Sequence, residues 1–364
     1  MADSRDPVGA SDDAPVARRL MLPSTRGRFI LAATWVYAVV VLSALFSIRW
    51  VGDAWWGGVL LLFVPRALFL APLAVLAVAS LVRKCPSHWV VQGTIAAVVA
   101  GPLMGGSLPI DRLWRAAPEG ERVRIATFNL GLDTFPVDRL ARWLEREKID
   151  ILCMQESVRD NPALDNLFAK GWHRNERKTI TSRFPIVKEL PRLAEGSETE
   201  GRFGALMERA RLRMPSGQEL IVAALHLPTM RPGLERLRDD FDTKGLTLHA
   251  RWWRHELARV LAQLDETRST PMLIGGDFNM PADEASMAAL RSSFLFAFDE
   301  AGWGFGYTKP AKLPWIRIDH ILTGAEWVVT RCAVGPDLGS DHLPLLAEVV
   351  LPLPVAPSSP ITNQ

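Results

Sequence analysis

Long apolar runs occupy the first third of the chain, whereas short apolar runs separated by polar residues fill the rest. Residues 29–48 (FILAATWVYAVVVLSALFSI) and 89–108 (WVVQGTIAAVVAGPLMGGSL) contain no charged side chain, and each is long enough for a helix to cross about 30 Å of hydrocarbon. Residues 57–82 are apolar except for Arg66, which we expect at a membrane interface because a charge is costly at mid-bilayer. The pattern predicts an N-terminal bundle of about three transmembrane helices, with spans near 29–48, 67–82 and 89–108.

Basic residues set the expected orientation of these spans. They precede the first span and follow the second: Arg18, Arg19, Arg26, Arg28, Arg83 and Lys84. Because Lys and Arg favour the cytoplasmic side, three crossings place everything after about residue 110 outside the cytoplasm, in a multi-pass protein of the cell (inner) membrane. If 67–82 does not cross, that part of the chain faces the cytoplasm. A cleaved signal peptide is the alternative for the first run, but further apolar runs follow it and no small-residue cleavage site is visible.

The sequence divides into four parts. We expect a basic cytoplasmic tail at 1–28, the membrane anchor at 29–110, a single domain at 121–353, and a tail at 354–364 whose Pro, Ser and Asn content predicts disorder. The formal net charge of the chain is only +2, which weakens a nucleic-acid interpretation without excluding it. The three cysteines show neither metal nor disulfide spacing.

Within the domain, six short apolar runs end on, or carry, a polar residue that a core does not favour. A polar strand end is common by itself, because chains turn there. Six together indicate a site, since a sheet gathers its strand ends along shared edges. The residues are Asn129 (TFNLG), Glu156 (QES), His226 (LHLP), Asp277 and Asn279 (GGDFNMP), Asp319 (IRIDHIL), and Asp341 with His342 (GSDHLPL).

These residue types suit phosphoester hydrolysis. Carboxylate and amide oxygens are hard ligands that fit Mg²⁺ or Mn²⁺. With such a cation, two histidines can neutralise phosphoryl charge while a carboxylate activates water. No Gly-x-Ser-x-Gly nucleophile motif or phosphate-binding Gly-rich loop competes with this interpretation. Taken alone, Asp341-His342 is equally well explained as a turn, because Asp and Ser side chains hydrogen-bond nearby backbone.

The ordered motifs TFNLG, QES, LHLP, GGDFNMP, IRIDHIL and GSDHLPL resemble those of the endonuclease/exonuclease/phosphatase superfamily over roughly residues 123–351. This superfamily includes pancreatic-type deoxyribonucleases, abasic-site endonucleases, neutral sphingomyelinases and inositol polyphosphate 5-phosphatases. The resemblance implies an α/β fold, a four-layer αββα sandwich of two packed mixed sheets.

The resemblance also implies a metal site. Glu156 matches the principal metal ligand, with Asn129 beside it, and Asp341 helps to hold the site. The implied cofactor is Mg²⁺, with Mn²⁺ as a substitute.

The same resemblance assigns catalytic roles to five residues. His342 would contact the scissile phosphate, and Asp319 would hydrogen-bond this histidine, fixing its tautomer and favouring its charged form. Asp277 would orient or deprotonate the attacking water, and Asn279 would hold a phosphate oxygen. His226 would assist the transition state or the leaving group.

Three functions remain open from the sequence. A nuclease-type phosphodiesterase comes first, and a phospholipid or sphingomyelin phosphodiesterase second, favoured by the anchor; a catalytically inactive binding domain is the third. The expected partners are a phosphodiester substrate, from nucleic acid or a lipid headgroup, and the lipid bilayer, with no protein partner evident. IGGDFNMP and LPWIRIDHIL depart from the inositol phosphatase signatures, and substrate choice is expected in loops such as 229–247 and 302–315.

Other residues have simpler interpretations. His320 is as readily structural as functional, and Arg183 is expected to be a scaffold residue. Residues 248–264 form a helix with one apolar stripe. Arg254 falls off that stripe, and we expect it on a solvated face.

Overall fold

Two six-stranded mixed sheets pack face to face and carry helices on their outer sides. The computed structural model describes residues 25–131, 136–156, 161–193, 204–265 and 269–353. The predictions for the basic tail up to residue 24 and for the tail at 354–364 lie outside the described residues. The predicted α/β sandwich of two mixed sheets is confirmed.

The first sheet has the strand order β11-β12-β1-β2-β4-β3, and the second has the order β5-β6-β7-β8-β10-β9. Parallel pairing joins β1 to β2 and β7 to β8, and the other pairs are antiparallel. The strands are β1 Gly120–Asn129, β2 Ile151–Gln155, β3 His173–Arg174, β4 Ile180–Ser182, β5 Ile186–Leu193, β6 Leu206–Arg213, β7 Glu219–His226, β8 Met272–Asp277, β9 Leu295–Phe296, β10 Asp319–Thr323, β11 Val328–Val334 and β12 Leu345–Pro352.

Ten α-helices lie in the described residues, four of them before the first strand. They are α1 Thr25–Phe46, α2 Trp56–Phe63, α3 Leu70–Val82, α4 His88–Val98, α5 Val137–Arg146, α6 Pro162–Leu167, α7 Arg231–Asp240, α8 Thr243–Asp265, α9 Ala288–Arg291 and α10 Ala297–Ala301.

The central strands are apolar without alternation because both of their faces are covered. β8 is buried along its whole length, whereas the edge strand β5 is mostly exposed. Between the sheets, Cys153 of β2 lies in the core, as its apolar surroundings predict. A Cβ added to Gly275 would lie 3.1 Å from Cys153 Sγ, so glycine allows the two sheets to approach closely here.

The outer layers bury one stripe of each helix. Trp143 of α5 packs in a cluster with Phe128 and Leu346 on the first sheet. Trp253 and Val260, from the predicted stripe of α8, pack in a cluster with the outer face of the second sheet. The N-terminal helices contribute to this same cluster, so they share a core with the sandwich.

One described helical run, Gly27–Ala54, is long and apolar enough to cross a membrane by length and composition. A second candidate, Trp56–Phe63 with Arg66–Val82, qualifies only as a pair bent by 95°. The apolar helix His88–Leu103 is shorter than a span. The described helices therefore support one span, and the predicted count of three is wrong. Pro65 explains part of the difference, because proline separates the two members of the bent pair.

The N-terminal helices meet the sandwich through ion pairs, which we call the anchor interface (Asp53, Arg66, Arg254 and Asp283). Arg66 Nη1 donates to Asp283 Oδ2 at 2.6 Å, and Arg66 Nη2 donates to Asp283 Oδ1 at 3.2 Å. Arg254 Nε lies 3.0 Å from Asp53 Oδ2. The membrane-interface position of Arg66 stays a prediction, since its partner Asp283 belongs to the sandwich. Arg254 is partly exposed, and it also has an acidic partner across this interface.

The N-terminal helices bury several polar side chains among apolar ones and expose large apolar side chains. Gln92 of α4 donates to Ser80 Oγ of α3 at 2.9 Å and to Thr34 Oγ1 of α1 at 3.3 Å, and all three residues are buried. Large apolar side chains on the same helices, including Trp35 and Val75, are exposed. Such an exposed apolar surface is unusual for helices in water and is typical of helices whose surroundings are apolar.

Candidate functional site

The strand register brings the predicted residues to one edge of the sandwich. His226 pairs with Asp277 across parallel β7 and β8, and Asp319 pairs with Asp277 across antiparallel β8 and β10. Three site residues are therefore direct neighbours on adjacent strands. Asn129 ends β1, and Glu156 follows the end of its parallel neighbour β2. Since β12 runs antiparallel to β1, Asp341 and His342, just before β12, arrive at the same edge.

Two site residues adopt the left-handed backbone region that non-glycine residues seldom occupy. Glu156 has φ of 53° and Asn279 has φ of 51°. Each lies just beyond a central strand, where the chain turns out of the sheet. Such strain concentrates at functional sites, because the surrounding structure must hold it in place.

A buried set of Asp277, Asp319 and His342 forms the floor of the site. His342 Nδ1 lies 2.9 Å and 3.1 Å from the two oxygens of Asp319, so the ring donates from Nδ1 to this carboxylate. His342 Nε2 lies 3.6 Å from Asp277 Oδ2. All three residues are at most 1% exposed. The predicted hydrogen bond between Asp319 and His342 is therefore present.

Charges inside this set shift the pKa values in different directions. Burial raises the pKa of Asp277, and the neighbouring charge of Asp319 raises it further. Burial also disfavours the charged form of Asp319, but the charge and hydrogen bond of His342 outweigh it and lower the pKa of Asp319. Burial opposes the charging of His342, yet the charges of Asp319 and Asp277 raise its pKa to about 9. Asp277 is thus the better proton acceptor, and His342 the better donor.

A second group of side chains, which could act as metal ligands, surrounds Glu156. Its carboxylate lies 3.7 Å from His226 Nε2, which in turn lies 3.8 Å from Asp277 Oδ2. Ligand atoms of Glu156, His226 and Asp277 all lie within 4.8 Å of one another, close enough to share one cation. Asn129 Nδ2 donates to both Glu156 and Asp277 at 3.0 Å, and Asn129 Oδ1 accepts from Gly131 N at 2.9 Å. Asn129 therefore holds the two carboxylates together.

Asn279 fixes one oxygen of Asp277. Its backbone N–H donates to Asp277 Oδ1 at 2.8 Å, whereas Asp277 Oδ2 accepts from Asn129 Nδ2 at 3.0 Å and also faces His342 and His226. The Asn279 side-chain amide donates one hydrogen to the Leu227 carbonyl at 2.9 Å, and its second amide hydrogen remains for another acceptor.

Asp341 lies at the rim rather than on the floor, and it is half exposed. Its Oδ2 atom is 3.1 Å from Lys309 Nζ and 3.9 Å from Arg231 Nη2. Lys309 Nζ also lies 2.6 Å from His342 Nε2. Sequence reasoning missed both cations as site residues, although it had assigned substrate choice to the two loops that carry them. The spacing of apolar residues along the chain does not indicate where a loop places the charged end of a side chain.

Two further residues are scaffold. His320 is buried, its Nε2 lies 2.9 Å from the Met280 carbonyl, and its ring contacts Phe278 and Phe296 edge-on. Burial lowers the pKa of His320 to about 4. Arg183 stacks on the Trp172 ring at 3.9 Å, in agreement with its expected structural role.

The site opens into a cleft of about 1110 Å³. Four acidic residues line it (Glu156, Glu208, Asp277 and Asp341), and so do four cationic residues (Arg177, Arg192, Arg231 and Lys309). Carboxylates that could hold a cation and basic side chains that could hold an anion suit a substrate that carries phosphate.

Comparison with known proteins identifies a family. The Endonuclease/Exonuclease/phosphatase family matches residues 126–342. Similar structures include the endonuclease/exonuclease/phosphatase from Bacteroides vulgatus, at 20% identity and a TM-score of 0.48, with 64% of this chain and 99% of that chain covered. The human Nocturnin catalytic domain gives 18% identity and a TM-score of 0.46, with 65% of this chain and 97% of that chain covered. An AP endonuclease from Archaeoglobus fulgidus gives 20% identity and a TM-score of 0.41, with 62% of this chain and 98% of that chain covered. A comparison with curated proteins gave no match.

The family match covers more than half of the 364 residues and includes all eight predicted site residues. The chain therefore belongs to the endonuclease/exonuclease/phosphatase family, whose members are metal-dependent hydrolases of phosphoester bonds.

Proposed function

We propose that this protein is a Mg²⁺-dependent phosphodiester hydrolase of the nuclease type, in which water attacks phosphorus with the help of aspartate and histidine. The observation that carries this proposal is the register of three adjacent strands, which aligns His226, Asp277 and Asp319 while His342 is hydrogen-bonded to Asp319. The His226 imidazole and several carboxylates therefore line one cleft, and the second imidazole, that of His342, lies buried next to Asp277.

The donor set fits a hard cation. Glu156 and Asp277 present carboxylate oxygens close together, and His226 is the only ion-pair partner of Glu156 among the described residues. Carboxylates held in proximity without a lysine or arginine favour Mg²⁺ or Mn²⁺. Glu156 and Asn129 are the proposed ligands, with Asp341 available from the rim. When bound, the cation would neutralise charge on the phosphoryl oxygens.

The chain's own residues would carry out the proton transfers. Asp277 would accept the proton of the attacking water through Oδ2, the oxygen that lies nearest to His226 and His342. His342 would donate from Nε2 to a phosphoryl oxygen that gains charge, with Asp319 holding the ring from behind. Asn279 would donate its remaining amide hydrogen to a second phosphoryl oxygen. His226, on the opposite side of Asp277, would assist the leaving group.

The test is hydrolysis by the full-length protein in detergent with Mg²⁺, offered DNA, RNA, sphingomyelin and phosphoinositides. We expect cleavage of nucleic acid that EDTA abolishes. Glu156→Gln should lower activity at limiting Mg²⁺ and recover partly at saturating Mg²⁺, whereas Glu145→Gln on the exposed face of α5 should match the wild type. EDTA-resistant cleavage would contradict the metal site, and no cleavage of any substrate would favour the inactive binding domain.

A phospholipid or sphingomyelin phosphodiesterase is the second candidate. The exposed apolar side chains of α1 and α3 favour it, because helices with such surfaces would keep the cleft near lipid headgroups. Cleavage of sphingomyelin in preference to DNA would select this alternative.

The same helices support a membrane anchor within residues 29–110, followed by the catalytic domain at 121–353. Gly27–Ala54 would cross the bilayer with the basic residues 1–28 in the cytoplasm, which places the catalytic domain outside the cytoplasm. A reporter fused after Gln364 should be active only when exported, and protease should reach the domain in spheroplasts. A reporter active only in the cytoplasm would reverse this orientation.

A further inference from the structure

Two cations on the rim of the cleft share one carboxylate. Lys309 and Arg231 approach the same oxygen, Asp341 Oδ2, at 3.1 Å and 3.9 Å. One half-exposed carboxylate can neutralise only one of two cations. If Asp341 turns towards a metal, as its predicted role requires, both cations lose this partner. Either way the rim retains positive charge for a group that is not part of the chain.

The two cations come from the two loops to which substrate choice was assigned. Lys309 lies within 302–315, and Arg231 begins α7 within 229–247. The first loop is pinned to the site by backbone bonds, since Ala311 N donates to the Asp341 carbonyl and Leu343 N donates to the Thr308 carbonyl, each at 2.8 Å. Lys309 is therefore presented by a fixed backbone rather than by a free loop.

Lys309 also faces the imidazole that would handle the scissile phosphate. Its ammonium lies 2.6 Å from His342 Nε2. A phosphate held at His342 would therefore have the Lys309 ammonium beside it, at the boundary between the floor and the rim. Arg231, which is 62% exposed, extends this positive surface outwards from Asp341.

We propose that Lys309 and Arg231 bind a second anionic group of the substrate, next to the scissile phosphate, and so select a nucleic acid strand over a lipid with a cationic choline headgroup. This inference rests on the proposed phosphodiesterase function and specifies its substrate class. Lys309 and Arg231 are specificity-determining residues here. A phosphate one nucleotide away from the reacting bond supplies the required charge, whereas a trimethylammonium group would be repelled by both cations.

The test compares three chromogenic phosphodiesters that release p-nitrophenol in the same way. The neighbouring group is cationic in p-nitrophenyl phosphorylcholine, neutral in the p-nitrophenyl ester of thymidine 5′-phosphate, and anionic in that ester with an added 3′-phosphate. For the full-length protein with Mg²⁺, kcat/KM should rise in this order. Lys309→Met should lower kcat/KM for the anionic substrate about 10- to 100-fold, the range of a lost charge-assisted hydrogen bond, and should lower it less for the other two.

Variants separate specificity from folding. Arg231→Gln, at an exposed helix start, should reduce the preference for the anionic substrate in the same direction, and Lys309→Arg should retain most of it. Lys312→Met and Arg238→Gln are matched controls from the same loop and the same helix, neither of which lines the cleft, and both should behave as the wild type. The preference should also weaken as salt is raised.

The failures of the two proposals are distinguishable. If no diester is hydrolysed, the proposed function itself is wrong. If the wild type hydrolyses the choline ester at least as well as the anionic ester, or if Lys309→Met lowers all three rates equally, the function stands and the second anionic position is overturned.

Discussion

The sandwich and the N-terminal helices place polar groups in opposite ways. In the sandwich the core between the sheets is apolar, and its buried charges are concentrated at the strand ends, as with Asp319 and His342. In the N-terminal helices Gln92 and Ser80 are buried, while Trp35 and other large apolar side chains are exposed. Both arrangements follow one rule, that a protein surface matches its solvent, if the helices lie in lipid as proposed.

The difference indicates what buried polar groups do in each region. At the strand ends of the sandwich, charged groups such as Asp277, Asp319 and His342 shift one another's pKa values, so their loss should impair chemistry. In the helices they are neutral and hydrogen-bonded to one another, so their loss should affect only packing. Where the regions meet, at the anchor interface, charges are buried in pairs, and their loss should affect stability.

The largest expected effect is on catalysis in the sandwich. Asp319→Asn and His342→Ala should each lower kcat by about 10²- to 10⁴-fold, because Asp319 acts by orienting the imidazole of His342. The double variant should lose much less than the product of the two, as residues that act as a unit are non-additive. A double-mutant cycle on one chromogenic phosphodiester measures this. Fully additive losses would show that the two residues work separately. Near-normal activity of His342→Ala would mean that Asp341-His342 is only a turn without a catalytic role.

The next effect is on stability at the anchor interface. Arg66→Met should cost about 3–5 kcal/mol of unfolding free energy, because it leaves the largely buried Asp283 without its partner. Replacing Asp283 by Leu in the same protein should restore most of this loss. Thermal unfolding in detergent gives the comparison, with Arg122→Met as the control, since Arg122 is half exposed and should contribute at most about 1 kcal/mol. An Arg66→Met protein as stable as the control would mean that the interface does not hold the two regions together.

A smaller effect concerns pH and the buried His320. Its pKa of about 4 in the folded protein lies below the 6.5 of an unfolded histidine, so the unfolded chain binds the extra proton between these values. This residue should therefore remove stability as pH falls from 6.5 towards 4, by about 3 kcal/mol in total. His320→Phe should flatten the stability curve in that window. Unfolding measured at pH 7 and pH 5 tests it, and an unchanged difference between wild type and variant would contradict the assignment.

The smallest effect lies inside the N-terminal helices. Gln92→Leu should cost only about 0.6 kcal/mol, the average for interhelical hydrogen bonds in membranes. Val90→Leu on the exposed face of α4 should have no effect. Unfolding in lipid bilayers measures both. A loss for Gln92→Leu as large as that for Arg66→Met would mean that these helices are packed like a water-soluble core.

Much of the site could be predicted from the sequence, because strand periodicity locates strand ends and a sheet gathers those ends at one edge. Asp277, Asp319 and His226 illustrate this, since their alignment follows from register alone. Lys309 was missed because a loop's path depends on backbone bonds to distant residues. The partner of Arg66 was not predicted for a similar reason, since Asp283 lies 217 positions further along the chain.

The paired charges between Arg66 and Asp283 bear on how far the enzyme could reach. A catalytic domain on a flexible linker samples a hemisphere whose radius grows with linker length. Here the domain shares a core and buried ion pairs with the helices that precede it, so it would ride on the bilayer at a fixed height and tilt. The enzyme could then cut only scissile bonds that lie at that height above the bilayer. Lateral diffusion of the whole protein, rather than rotation of its domain, would determine how it encounters substrate.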